Sequence, residues 1–66
     1  MEKQQMNQDQ LLELLNECLY AYVYAENKQV EKQQVRNIKQ IKKVLKKQFN
    51  KKVAFNKKEL VYVFKN

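Results

Sequence analysis

From Leu11 onward the apolar residues recur at helical spacing. Leu11, Leu12, Leu14, Leu15, Cys18, Leu19, Tyr22 and Ala25 fall within ~160° of a helical wheel, and Glu13, Asn16, Glu17, Tyr20 and Tyr24 take the opposite side. Asp9 can act as N-cap or first-turn acid, with Glu13 one turn further on to complement the positive end of the dipole. The pattern predicts a helix from Asp9 to Glu26, a frayed N-terminus over residues 1–7 and a single domain over residues 8–66. Within that helix the run Leu19–Ala25 also alternates with period two, which would put Tyr20, Tyr22 and Tyr24 on one face of a strand. A strand would need a break near Cys18, where no Gly, Pro or Asn supplies one, so the helical alternative is preferred.

Glu26–Gln29 is predicted as a turn of the length that joins antiparallel helices. The next segment, Val30–Phe49, has the sharpest pattern in the chain. Val30, Ile38, Ile41, Val44, Leu45 and Phe49 cluster within ~140° of the wheel, with Val35 at the edge. Lys32, Arg36, Lys39, Lys42, Lys43, Lys46 and Lys47 fill the sector opposite. Asn50 ends this helix by accepting a left-handed conformation. Val53–Phe55 and Leu60–Phe64 are β-branched and aromatic and read as two strands of a hairpin around an Asn56–Glu59 loop. Leu60, Tyr62 and Phe64 share one face of the second strand, and Val61 and Val63 share the other. One apolar face should pack on the helices, and the second calls for a cover. The predicted class is α+β, a helical hairpin followed by a C-terminal β-hairpin.

Size adds a constraint on assembly. A chain of 66 residues buries only ~60% of the surface that its unfolded form exposes. Cys18 has no partner for a disulfide and there is no histidine, so neither a disulfide nor a metal can staple the fold. Oligomerisation is the remaining staple, and a homodimer, or tight docking onto a partner, is expected. The polar N-terminus has no signal-like apolar stretch, and together with the single cysteine this places the chain in a reducing cytoplasm.

Charge gives the pattern its functional meaning. The net charge is +7, and between Lys32 and Lys58 there is no acidic residue. Like charges one turn apart, as at Lys39 and Lys43 or Lys42 and Lys46, cost a few tenths of a kcal/mol each. A helix serving only solubility would mix signs to avoid that cost. The lysine face therefore points to a polyanionic partner: a nucleic acid, with duplex DNA foremost, or an acidic protein surface. The expected contacts are Lys32, Arg36, Lys39, Lys42, Lys43, Lys46 and Lys47 on the helix and Lys57 and Lys58 in the hairpin loop. Arg36 is the only arginine, and lysine is a point charge suited to backbone contact, so base readout is confined to Arg36, Asn37 or Gln40. A bilayer surface fits less well, because there is no Trp and the fold itself needs the aliphatic face.

Catalysis finds no purchase. His, Ser, Thr and Gly are absent, the carboxylates are scattered, and Cys18 sits on the apolar face of the first helix. No cofactor is called for. The order of helix, then hairpin, resembles a winged helix-turn-helix over about forty residues. Lys51, Lys52, Lys57 and Lys58 sit where a wing would touch backbone, and Ala25, Val30, Val35 and Ile38 have the spacing of its helical pair, without its turn glycine. A second constellation, Tyr20 and Tyr24 with Tyr62 and Phe64, is a candidate protein interface. The sequence thus supports a small non-enzymatic DNA-binding regulator. The alternative is a modulator of the phage or mobile-element kind, acting on a host protein through the tyrosines and hairpin.

Overall fold

The computed structural model describes residues 6–65. Helix α1 spans Gln8–Val23 and helix α2 spans Lys28–Phe49; strand β1, Lys52–Asn56, and strand β2, Val61–Lys65, follow as an antiparallel hairpin. The α+β order is the expected one. The period-two alternative for Leu19–Ala25 is not adopted, since α1 stays helical to Val23.

Asparagine punctuates this chain where Gly, Pro, Ser and Thr are missing. Asn7 caps α1: its side chain accepts the Gln10 N–H at 2.8 Å, and Gln10 Oε1 accepts the Asn7 N–H at 3.0 Å. The cap therefore lies two residues before Asp9, within the stretch expected to fray; residues 1–5 of that stretch lie outside the described residues. Asn27 caps α2 by accepting the Val30 N–H at 2.9 Å, so α2 begins two residues before Val30 and the link between the helices is 24–27. Asn50 closes α2 at φ 52°, ψ 39°, as predicted. Asn56 shapes the hairpin turn by accepting the N–H groups of Lys58 and Glu59.

The turn corrects one expectation. Leu60 does not begin β2 but sits in the turn at φ 59°, with its N–H bonded to the Asn56 carbonyl at 2.7 Å. A left-handed conformation costs a leucine roughly 1–2 kcal/mol that a glycine avoids. Leu60→Gly is expected to raise the folding stability of the monomer by ~1 kcal/mol in thermal or urea unfolding of the dilute protein. A fall in stability would show that the leucine packs well enough to outweigh its backbone strain.

The two antiparallel helices bury Leu11, Leu15 and Cys18 of α1 against Ile38, Ile41 and Leu45 of α2, with Leu15 and Leu45 wholly enclosed. Val53, Tyr62 and Phe64 cover this core from the hairpin side. In the observed register Val53 faces Phe64 and Phe55 faces Tyr62, so all four project from one face of the sheet. Ala54, Val61 and Val63 alternate onto the other. The Cα envelope measures 35 × 34 × 15 Å.

A polar contact fixes the hairpin on the helices. Asn16 Nδ2 donates to the Tyr62 carbonyl at 3.0 Å, and the Tyr62 N–H donates to Asn16 Oδ1 at 2.6 Å. The side-chain amide thus acts as a one-residue strand, pairing with the open edge of β2 where β1 does not reach.

Candidate nucleic-acid interface

The turn at Asn50 is what assembles the basic site. Its left-handed backbone reverses the chain, and the Asn50 and Lys51 N–H groups bond back to the Lys46 and Leu45 carbonyls, each at 3.1 Å. The reversal brings Lys51 and Lys52 beside the last turn of α2. The sheet register then sets Lys65 opposite Lys52. Lys46, Asn50, Lys51, Lys52 and Lys65 line an open concavity of about 560 Å3. A neighbouring hollow of about 250 Å3 shares four of these lysines and adds Lys42 and Val53. Among the described residues no Asp or Glu lines either one. The carbonyl end of α2 is the negative pole of its dipole, which helps hold cations there without neutralising them.

Lys42 links this cluster to a third hollow. Its Nζ lies 4.5 Å from the centroid of the Tyr62 ring, a cation–π contact on the sheet's inner face. Lys42 also lines a cavity of about 300 Å3 with Lys39, Tyr22, Tyr62, Leu19, Val35 and Ile38. Lys42 is the one residue that this cavity shares with the lysine-lined hollow beside it; Leu19 and Tyr22 of α1 close its other side.

Not every expected contact comes to this site. Lys32, Arg36, Lys39, Lys43, Lys46 and Lys47 are exposed along α2, whereas Lys42 is half-buried beneath the hairpin. Lys57 and Lys58 are exposed in the hairpin turn, the whole length of β1 away from Lys52, or ~17 Å at strand rise. They do not join the cluster. Lys65, on the other hand, does join it. Nothing in its own neighbourhood signals a site; only the register reveals it. Lys51 and Lys52 flank the hairpin in the sequence, and the α2 C-cap is what turns them towards Lys46.

The aromatic candidates also divide. Tyr62 and Phe64 are half-buried against the core, and Phe55 meets the Tyr62 ring edge-on at 5.7 Å, so these two expected interface residues are engaged by the fold. Tyr20 and Tyr24 remain open. Their ring centroids are 4.5 Å apart, and Tyr20, Val23, Tyr24 and Leu60 are 66%, 62%, 66% and 67% exposed. With Leu19, Asn16 and Val61 they line a groove of about 200 Å3 between the end of α1 and the hairpin turn.

The lone cysteine has no part in either surface. Burial first, and then the neighbouring Glu17 carboxylate, push the Cys18 thiol above its ordinary pKa, so it stays protonated at neutral pH. Among the described residues no group of three or more His, Cys, Asp or Glu side chains could hold a metal ion, and no helix is long and apolar enough to cross a membrane.

Comparison with family models, with curated proteins and with solved structures found no match. Any functional reading must therefore rest on these surfaces.

Proposed function

We propose that this protein is a small non-enzymatic regulator that binds duplex DNA through its sugar–phosphate backbone. One observation carries this reading: Lys42, Lys46, Lys51, Lys52 and Lys65, drawn from α2, its C-terminal turn and both strands, converge on one open seam, and no Asp or Glu among the described residues lines it. Five like charges brought together by tertiary structure repel one another, and a bound polyanion relieves that repulsion. The exposed row Lys32, Arg36, Lys39, Lys43 and Lys47 extends the same charge along α2. In the winged-helix analogy the hairpin would touch backbone with its tip. Here its base, Lys52 and Lys65, takes that part.

Lysine contacts bind mainly by counterion release. With five to seven phosphates neutralised, log K should fall against log salt with a slope of roughly −4.5 to −6. A titration of random-sequence duplex at several salt concentrations measures this directly. Absence of binding at 50 mM salt would end the proposal.

A second reading has its own support. The open Tyr20, Val23, Tyr24 and Leu60 surface is of the kind that meets proteins, and it fits the modulator alternative. If duplex binding fails while this surface proves necessary for activity, the modulator reading replaces the first.

A further inference from the structure

We infer that the Tyr20, Val23, Tyr24 and Leu60 surface is the self-association face of a two-fold homodimer. Three independent observations point to a second copy of this chain as its occupant.

The first is Leu60 itself. A large apolar side chain stands exposed at a backbone position, φ 59°, where Gly or Asn would fit without strain. Asn50 shows that this chain places Asn at such a position elsewhere. A leucine at a strained turn that leaves it 67% exposed gains little burial within one protomer, and strain of this kind concentrates at functional surfaces.

The second is charge. Glu13 and Glu17 lie one turn apart on the same stripe of α1 as Tyr20 and Tyr24, and both are exposed. On the other side of the groove the hairpin turn carries Lys57 and Lys58 against a single acid, Glu59. The patch therefore has an acidic flank, an apolar middle and a net basic flank. A two-fold axis through the middle brings the acidic flank of each copy onto the basic flank of the other, as an isologous contact requires. The same glutamates repel phosphate, which argues against a nucleic acid at this face.

The third is area and placement. The four exposed side chains present roughly 500 Å2, at the upper end of what a monomer usually leaves open. A stable interface takes ~800 Å2 per partner, with an apolar middle of this kind and a polar rim such as the flanking charges provide. It lies at the opposite end of the hairpin from Lys52 and Lys65. A dimer formed here keeps the two lysine clusters apart, beyond the ~8 Å range of unscreened repulsion at physiological salt.

Sedimentation equilibrium of the full chain at micromolar concentrations, without DNA, tests the inference separately from the DNA-binding proposal. The expected result is a concentration-dependent dimer. Leu60→Gly should weaken dimerisation tenfold or more while the unfolding temperature of the dilute protein holds or rises. Glu17→Lys should also weaken it, and Glu17→Lys combined with Lys58→Glu should restore it. A monomer at every concentration would overturn the inference, as would a dimer whose dissociation constant neither Leu60→Gly nor Glu17→Lys moves.

Discussion

Reversing Lys46 and Lys52 together to glutamate is expected to weaken duplex DNA binding by about a hundredfold or more at low salt, some 2.7 kcal/mol. These residues come from different elements and meet only in the folded protein, on the wall of the same concavity. Each substitution removes a counterion-releasing contact and adds a charge that repels phosphate, so the salt slope should flatten by about 2. Folding should lose no more than about 1 kcal/mol, the cost of an anion at the negative end of the α2 dipole. Both side chains are exposed, and a glutamate at position 46 would gain Lys42 and Lys43 as partners one turn away on α2. The matched control is Lys57→Glu with Lys58→Glu, which changes net charge equally at the far end of the hairpin; the two pairs are compared at protein concentrations where sedimentation shows each to be monomeric. Fluorescence anisotropy with a labelled duplex compares the two pairs. If both lose affinity to the same extent, binding follows net charge and the seam is not a site.

Asn16→Ala should cost roughly 2–3 kcal/mol of folding stability. The substitution removes two hydrogen bonds and leaves the part-buried N–H and carbonyl of Tyr62 without partners, which is dearer than losing the bonds alone. A domain of this length has only about 3–10 kcal/mol to lose, so much of the population would be unfolded or would have a detached hairpin on warming. Urea unfolding followed by circular dichroism gives the magnitude, and hydrogen exchange at the Tyr62 amide gives the place. An Asn16→Ala protein as stable as the parent would mean that the apolar face of the hairpin holds it in place alone.

These two positions mark where the sequence was legible and where it was not. Asn16 reads as one more polar residue on the outer side of α1; its partner is 46 residues away, and no local pattern announces a side chain paired with a strand edge. Lys46 is visible as part of a periodic basic face, because α2 is long and its period is regular. Lys65 is not, because its position depends on the hairpin register. Counting Leu60 as the first strand residue opposite Phe55 would slide the pairing by two and set Lys65 against Asn50. The observed turn absorbs Leu60 and sets Lys65 against Lys52. Tyr62 and Tyr20 look alike in the sequence as exposed aromatics. Alternation along β2 turns the first inwards, and the wheel of α1 leaves the second outside.

Local rules were enough for the elements of this chain. Periodicity placed both helices, β-branched and aromatic runs placed both strands, and Asn50 ended α2 in the left-handed conformation that its side chain tolerates. Charge bias, which needs no coordinates, identified α2 as the basic element. The tertiary structure alone decided which lysines lie together, which tyrosines stay exposed, and how the hairpin is fastened. Helix and strand periods depend on neighbours a few residues away, whereas a register and a side chain reaching across 46 positions depend on how finished elements dock. That docking is set by the fit between their buried faces.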